Sequence, residues 1–206
     1  MLNAEPSSNV VLDITSSDTG EATVTSSLTF TSANWDTAQT VTLTGADDDI
    51  VDGSVTSTIT VAVNDGSSDD NFDSVADQTV SVTTADDDVA GFTIAETNGS
   101  TGVDESGNTD TFTVVLDKAP LSDVVLSISS SDTGEATVTS SLTFTSANWD
   151  TAQTVTVTGA DDNAIDGSVT STITVAVNGG SSDDAFAVSY THLRAHETVL
   201  DLVCRL

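Results

Sequence analysis

The sequence predicts an all-β protein built from tandem antiparallel β-sandwich modules. Two observations predict this fold class. Val, Ile, Leu and Phe recur at every second position with Thr and Ser between them, which is typical of strands buried on one face. Residues 16–73 are also repeated as residues 130–187, 114 positions later, with seven differences among 58 aligned positions. A period this long indicates a duplicated small domain, because solenoid repeats span roughly 20–50 residues.

The alternating segments predict eleven strands, separated by turns rich in Asp, Gly, Asn and Ser. They are residues 10–14, 28–30, 39–44, 55–63, 78–82, 91–94, 111–116, 124–128, 142–144, 153–157 and 169–177. In the segment 39–44 (QTVTLT), Val41 and Leu43 are expected to be buried. No segment has an apolar stripe of helical period, so we expect sandwiches of about seven strands each.

The repeat places the domain boundary near residues 88–91, with one module at 1–88 and the next at 89–187. Residues 1–3 align with residues 115–117, the interior of a strand, so Met1 is expected to be a start inside a longer reading frame. The first module is therefore expected to lack its first strand and the second its last. Incomplete modules expose an unpaired sheet edge, which favours aggregation or exchange of strands between chains.

Residues 188–206 are expected to be a non-native tail. The repeat ends abruptly at Ala187, and both His, both Arg, the only Tyr and the only Cys follow it. Residues 189–193 (SYTHL) and 202–206 (LVCRL) resemble two translated sequencing-library adapters in the right order. The alternatives are a genuine amphipathic tail, or a metal site formed by His192, His196 and Cys204. We exclude the tail from fold reasoning.

The net charge of −30 limits the possible partners. Outside the tail, 31 acidic residues face a single base, Lys118. Nucleic acids and anionic membrane surfaces are excluded because both require a basic face. No apolar run reaches the roughly 18 residues that membrane insertion needs. Cations are the expected partners, since self-repulsion of this size opposes a compact fold.

The acidic residues are concentrated in particular turns. Residues 47–53 (DDDIVDG) and 161–167 (DDNAIDG) follow equivalent strands, residues 86–88 are three consecutive aspartates, and Glu105 lies in a short acidic segment. Adjacent carboxylates repel one another unless a hard cation with six to eight oxygen ligands lies between them. The alternative is a set of solvated turns that end strands, as in an acidic halophile surface. For the pairs 69–70 and 183–184 we expect only solvated turns.

These residues resemble the Calx-β family, whose calcium-binding Ig-like modules occur in exchangers and in large bacterial surface proteins. The similarity rests on the junction DDDVAGF (86–92), Glu105, the LTF strands and the DDxxxD turns, in that order, and covers residues 1–187. By position, the resemblance implies these Ca²⁺ ligands: Asp47, Asp48, Asp52, Asp86, Asp87, Asp88, Glu105, Asp161, Asp162 and Asp166. A further ligand is implied before each LTF strand, at Asp18 or Glu21 and at Asp132 or Glu135. The first copy has no equivalent of Glu105 and the second has none of residues 86–88, so we expect weak calcium binding.

The sequence can be interpreted as a structural spacer, an adhesion module or an enzyme. The favoured one is a non-enzymatic spacer in a secreted or surface-anchored, adhesin-like bacterial repeat protein, with calcium stiffening the junction between neighbouring repeats. The alternative is an adhesion module that binds a polysaccharide or cell surface without structural calcium, which would need grouped exposed aromatics. Trp35 and Trp149 are instead expected to cover the core. An enzyme is disfavoured because the body offers only repeated carboxylate pairs, with no His, Cys or Tyr.

Overall fold

The computed structural model of the chain describes residues 1–163, 165 and 167–187, together with the backbone of Leu200–Val203. Antiparallel sheets dominate this part of the chain, which confirms the predicted all-β sandwich class. Single 3₁₀ turns occur at Asp65–Ser67, Asp70–Phe72 and Thr97–Gly99. None of the helical segments in the described residues is long and apolar enough to cross a membrane.

The chain divides into two compact units. The first comprises Met1–Asp48 and Gly53–Asp87, and the second comprises Asp49–Asp52 and Asp88–Leu206. Four residues that belong to the first sequence copy are thus part of the second unit. The domain limits 1–88 and 89–187 stay a prediction, because the period of a repeat shows where a copy recurs but not which compact unit each of its loops joins.

The second unit contains two four-stranded sheets. One has the order β10-β12-β8-β7 and the other β11-β9-β13-β14. Their strands are β7 (Phe92–Glu96), β8 (Thr109–Leu116), β9 (Val124–Ser130), β10 (Ala136–Val138), β11 (Ser141–Phe144), β12 (Gln153–Gly159), β13 (Thr170–Val177) and β14 (Leu200–Val203). The inward-facing residues form one apolar core, in which Phe112, Val114, Val124, Leu126, Phe144 and Val155 are fully buried.

The first unit repeats only part of this arrangement. Its strands are β1 (Val10–Ser16), β2 (Ala22–Val24), β3 (Ser27–Phe30), β4 (Leu43–Gly45), β5 (Val55–Val63) and β6 (Gln78–Thr84). They form a sheet of order β3-β1-β5-β6 and the two-stranded sheet β2-β4. Among the described residues of this unit, no strand corresponds to β7 or β8.

The missing partner strand explains the largest error in the strand prediction. Residues 39–44 were expected to form a strand, but only Leu43–Gly45 does so in the first unit, and Leu43 is 42% exposed. The equivalent strand β12 is seven residues long, and its Val155 and Val157 are 0% and 2% exposed. β12 pairs with β8 over six residues, whereas β4 pairs only with β2. The same sequence therefore forms a full strand only where a neighbour supplies hydrogen bonds and cover.

The other predicted strands are found within a few residues of their expected limits, while two were missed. β2 and β10 are three residues long, too short for alternation to identify them. β14 lies in the segment predicted to be a non-native tail, and its backbone pairs antiparallel with β13 at the edge equivalent to that of β6 beside β5. The rest of that tail, with the His192, His196 and Cys204 alternative, lies outside the described residues.

Candidate functional site

In the first unit, a hydrogen bond joins the acidic turn to the end of the copy. The Gly53 backbone N–H donates to Asp86 Oδ2 at 2.8 Å. Gly53 adopts a φ of 77°, which favours glycine and lets the chain reverse before β5. Asp47 and Asp48 are exposed on the same turn, and Asp87 is also exposed. The Asp86 carboxylate thus contacts the turn that contains Asp47 and Asp48.

In the second unit, a lysine ammonium lies between two carboxylates. Lys118 Nζ is 2.7 Å from Asp49 Oδ1 and 2.5 Å from Asp88 Oδ1. Hydrogen bonds from Lys118 to Asp49, and then to Asp88, raise the pKa of the lysine above its ordinary value. The Asp88 side chain is 8% exposed, so its charge is neutralised in a largely enclosed position. Lys118 thus forms an ion pair with Asp88, which the sequence analysis named as a calcium ligand, and calcium binding at Asp88 stays a prediction.

The sequence analysis missed Lys118 as a site residue. The signal was present, because Lys118 is the only base outside the tail and the first copy has Ala4 at the same repeat position. A solitary cation among 31 acidic residues is expected to pair with the most crowded of them. Contact over 69 residues, from Lys118 to Asp49, cannot be read from local spacing.

The segment Asp49–Asp52 is held in the second unit by its backbone as well. Ala119 N–H donates to the Asp49 carbonyl at 2.7 Å, and Val51 N–H donates to the Ala119 carbonyl at 3.1 Å. Ile50 and Ala119 form a parallel bridge. Val51 is 9% exposed and belongs to the core cluster of this unit. We call residues 49–51 the donor loop, because the first copy contributes them to the second unit, and residues 118–120 the acceptor segment, because they receive that loop. These names do not refer to hydrogen-bond direction.

The remaining predicted ligands are Glu105 and the three acids of the second DDxxxD turn. Glu105 is half-buried, and Asp161 and Asp162 are exposed. The neighbouring Asp104 carboxylate accepts hydrogen bonds from the Ser106 hydroxyl and backbone N–H, which lower its pKa. Asp166 lies outside the described residues.

The additional candidates before the LTF strands have local roles. Asp18 Oδ1 accepts from the Gly20 N–H and Asp132 Oδ1 from the Gly134 N–H, both at 2.9 Å. Across residues 1–163, 165 and 167–187, no three acidic, His or Cys side chains form a group that could hold a metal ion. Calcium binding therefore stays a prediction.

Asp69 and Asp183 correct one interpretation of the sequence. Both were expected in solvated turns, but they are 4% and 6% exposed. Asp69 Oδ2 accepts from the Ser7 N–H at 2.6 Å and the Ser7 hydroxyl at 2.7 Å, while Asp69 Oδ1 accepts from the Asn71 N–H at 3.0 Å. Asp183 Oδ2 accepts from the Ser122 N–H at 2.8 Å. These buried carboxylates are thus hydrogen-bonded within their own units, as buried polar groups generally are.

The aromatic residues bear on the adhesion alternative. Phe30, Phe112, Phe144 and Phe186 are buried, and Trp149 packs against the core of the second unit. The exposed large hydrophobic residues in the described part of the chain are all aliphatic or Met. The grouped exposed aromatics that the adhesion alternative needs are thus not found among the described residues.

No protein family matches the chain, and no curated protein matches it. The chain is similar to a solved structure of domains 4 and 5 of the S-layer protein SbsC, with 21% identity and a TM-score of 0.34, covering 80% of this chain and 64% of that chain. It is also similar to a structure of the surface layer protein SbsC, domains 4–9, with 16% identity and a TM-score of 0.35, covering 100% of this chain and 23% of that chain. The chain spans less than two thirds of either structure. Membership of the Calx-β family stays a prediction.

Proposed function

We propose that this chain is a non-enzymatic structural module pair from a longer secreted or cell-surface repeat protein, in which neighbouring repeats are the principal partners. The observation that carries the proposal is the composition of the second unit. Its core includes Val51, contributed by the sequence copy that precedes it. A module that takes part of its fold from the repeat before it is suited to a continuous array rather than to independent action.

The buried polar groups support a structural role. Asp69 and Asp183 occupy equivalent positions in the two copies and bond backbone donors of their own units. Lys118 neutralises Asp49 and Asp88. Each therefore serves the fold, as expected for a spacer in which length is the useful property.

The second part of the proposal is that Ca²⁺ binds the acidic turns. The net charge of −30 makes cation binding favourable to the folded state, because neutralised carboxylates no longer repel one another. The Gly53–Asp86 hydrogen bond supports it by holding one terminal aspartate against the turn that contains Asp47 and Asp48. The candidate ligands are the ten carboxylates named from the Calx-β resemblance.

A thermal melt tests the calcium proposal directly. The full chain is melted in EDTA, in about 5 mM Ca²⁺ and in about 5 mM Mg²⁺, where a Kd of ~0.5 mM would add roughly 1.4 kcal/mol to the free energy of unfolding. We expect calcium to raise Tm by roughly 5 °C and magnesium to raise it much less. An equal effect of the two ions would reduce the acidic turns to general charge screening.

Matched variants locate the effect. Asp47→Asn with Asp48→Asn should abolish the part of the Tm rise that depends on the first turn. Asp36→Asn with Asp150→Asn removes the same charge from exposed positions outside the acidic turns and should leave the rise intact. If both double variants respond alike, calcium does not bind at residues 47–53, although the spacer proposal would stand.

A further inference from the structure

The second unit shows what the donor loop can bind. There, donor residues 49–51 lie against acceptor residues 118–120 through two backbone hydrogen bonds, one ion pair and one buried apolar side chain. The repeat gives the chain a second donor loop at residues 163–165 and a second acceptor segment at residues 4–6. These two segments have the repeat positions of the bound pair but differ from it in exposure.

The second donor loop presents its apolar side chain to solvent. Ile165 occupies the repeat position of Val51, yet Ile165 is 104% exposed whereas Val51 is 9% exposed. Three of the seven differences between the copies lie in this loop, where Asp49, Ile50 and Val51 become Asn163, Ala164 and Ile165. The apolar character at Val51 is kept in Ile165, while the charge at Asp49 is lost in Asn163.

The second acceptor segment has the same local anchors as the first. Leu2 N–H donates to the Trp35 carbonyl as Leu116 N–H does to that of Trp149. At the other end, Ser8 N–H donates to Asp69 Oδ2 at 3.2 Å, and Ser122 N–H makes the equivalent bond to Asp183 at 2.8 Å. The two acceptor segments are therefore held at equivalent points of their units.

The first two residues of the second acceptor segment are nevertheless exposed, while Pro6 is buried as Pro120 is. Glu5 occupies the repeat position of Ala119. Ala119 is 8% exposed, whereas Glu5 and its neighbour Ala4 are both exposed. Within the described residues, Glu5 lacks the pair of backbone hydrogen bonds that Ala119 makes to the donor loop.

We propose that the loop carrying Asn163 and Ile165 docks on residues 4–6 of a second copy of this chain. The charges of the four segments agree with this pairing. Asp49 faces Lys118 in the bound pair, whereas the remaining donor and acceptor positions, Asn163 and Ala4, are both neutral. An aspartate at the second donor would meet Glu5 and no lysine.

The proposed contact is heterologous, because it joins the second donor loop of one copy to the second acceptor segment of another. One copy offers its donor loop and the next offers its acceptor segment, which produces a linear head-to-tail chain unless a rotation closes a ring. The interface is small and the protein strongly acidic, so association should be weak and should strengthen with salt. The inference does not depend on calcium.

Analytical ultracentrifugation of the full chain tests the docking. The protein is examined from about 10 μM to 1 mM in EDTA and a thiol reductant, at about 0.05 M and 0.5 M salt. We expect the average mass to rise with concentration, more at high salt. Ile165→Asp should weaken association at least about tenfold in Kd. Its Tm should be unchanged, because the Ile165 side chain is fully exposed in the described structure.

A charge cycle tests the pairing of the two segments. Asn163→Asp alone should weaken association, and adding Ala4→Lys should restore it, since the pair then reproduces Asp49–Lys118. Val75→Asp, which places the same charge at a 50% exposed apolar residue elsewhere, is the control and should associate like the parent. A parent that stays monomeric to about 1 mM at both salt concentrations would overturn the proposal. Association of the Ile165→Asp chain as strong as that of the parent would also overturn it. So would weakening by Val75→Asp as large as that by Ile165→Asp.

Discussion

Aspartates with the same sequence context have opposite roles in this protein. In each SSDD turn, the first aspartate is buried and the second is exposed: Asp69 and Asp70 in one copy, Asp183 and Asp184 in the other. Hydrogen bonds, of which the Ser7 hydroxyl gives the largest effect, hold the pKa of Asp69 below its ordinary value of 3.8. The sequence predicts that both aspartates of each turn are exposed, because local sequence does not show which carboxylate accepts hydrogen bonds from Ser7 and Ser8.

We predict that Asp69→Asn lowers Tm by roughly 5–10 °C, because an amide cannot accept all the hydrogen bonds that the two carboxylate oxygens accept. Asp70→Asn, its exposed neighbour, should leave Tm unchanged. The pKa of Asp69 is depressed in the folded state, so its contribution is complete above pH 3.8 and is lost as pH falls below 3.8. Melts from pH 7 to pH 2.5 should show a smaller acid-induced loss for Asp69→Asn than for Asp70→Asn.

Asp183 and Asp184 provide the same comparison in the second unit. Asp183→Asn should lower Tm while Asp184→Asn does not, because Ser122 N–H and Ala185 N–H both donate to Asp183. Equal effects of the two substitutions would show that burial of the first aspartate does not matter to stability.

At the scale of single elements, one glycine position shows how context changes the demands on a strand. Gly45 and Gly159 end equivalent strands, β4 and β12. A Cβ on Gly159 would lie 2.0 Å from the Asp104 carbonyl oxygen, whereas a Cβ on Gly45 would meet only the Thr84 methyl group at 3.7 Å. The backbone around Asp104 precedes β8, and the first unit has no described counterpart of it.

We predict that Gly159→Ala destabilises the second unit by about 2–4 kcal/mol, because backbone rather than a flexible side chain must move. Gly45→Ala should be neutral within about 0.5 kcal/mol, since it creates only an ordinary contact. Chemical denaturation of both variants measures the difference. Equal losses would show that β12 is not packed against Asp104 as described.

The same pair of strands shows how far the sequence predicts the fold. Alternation identified β1, β3, β5 to β9 and β11 to β13 to within a few residues, because each carries apolar residues at every second position and pairs with a neighbouring strand. It failed at residues 39–42, where no neighbour is present to complete the strand. For the candidate site, the sequence identified the acidic turns but not Lys118, since its partners lie 69 and 30 residues away. Such long-range pairing is a property of the fold and not of local spacing.

At the scale of the whole molecule, the two units differ in how well each covers its core. Ile59 is 2% exposed in the first unit, but Leu43 and Val80 are 42% and 55% exposed there. The second unit contains one contiguous core cluster with Phe112 and Phe144 at its centre. Stability is therefore expected to be lower in the first unit, despite nearly identical sequences.

Hydrogen exchange measures this difference within one sample. We predict that amides of β12 exchange at least about 100-fold more slowly than those of the equivalent residues 39–45, because only β12 is hydrogen-bonded on both sides and buried. Peptides from the two copies are distinguishable by mass at Leu43 and Val157. Equal protection would contradict the unequal cover of the two units.

The described part of the chain has two segments that can pair with β8, which has a kinetic consequence. During folding, β8 must pair with β12. Residues 39–44 have the same sequence as residues 153–158 of β12 except at one position. Both segments can form the same ladder beside β8 until tertiary packing distinguishes them. We therefore expect residues 39–44 to compete with β12 for β8 during refolding, which would slow formation of the native pairing.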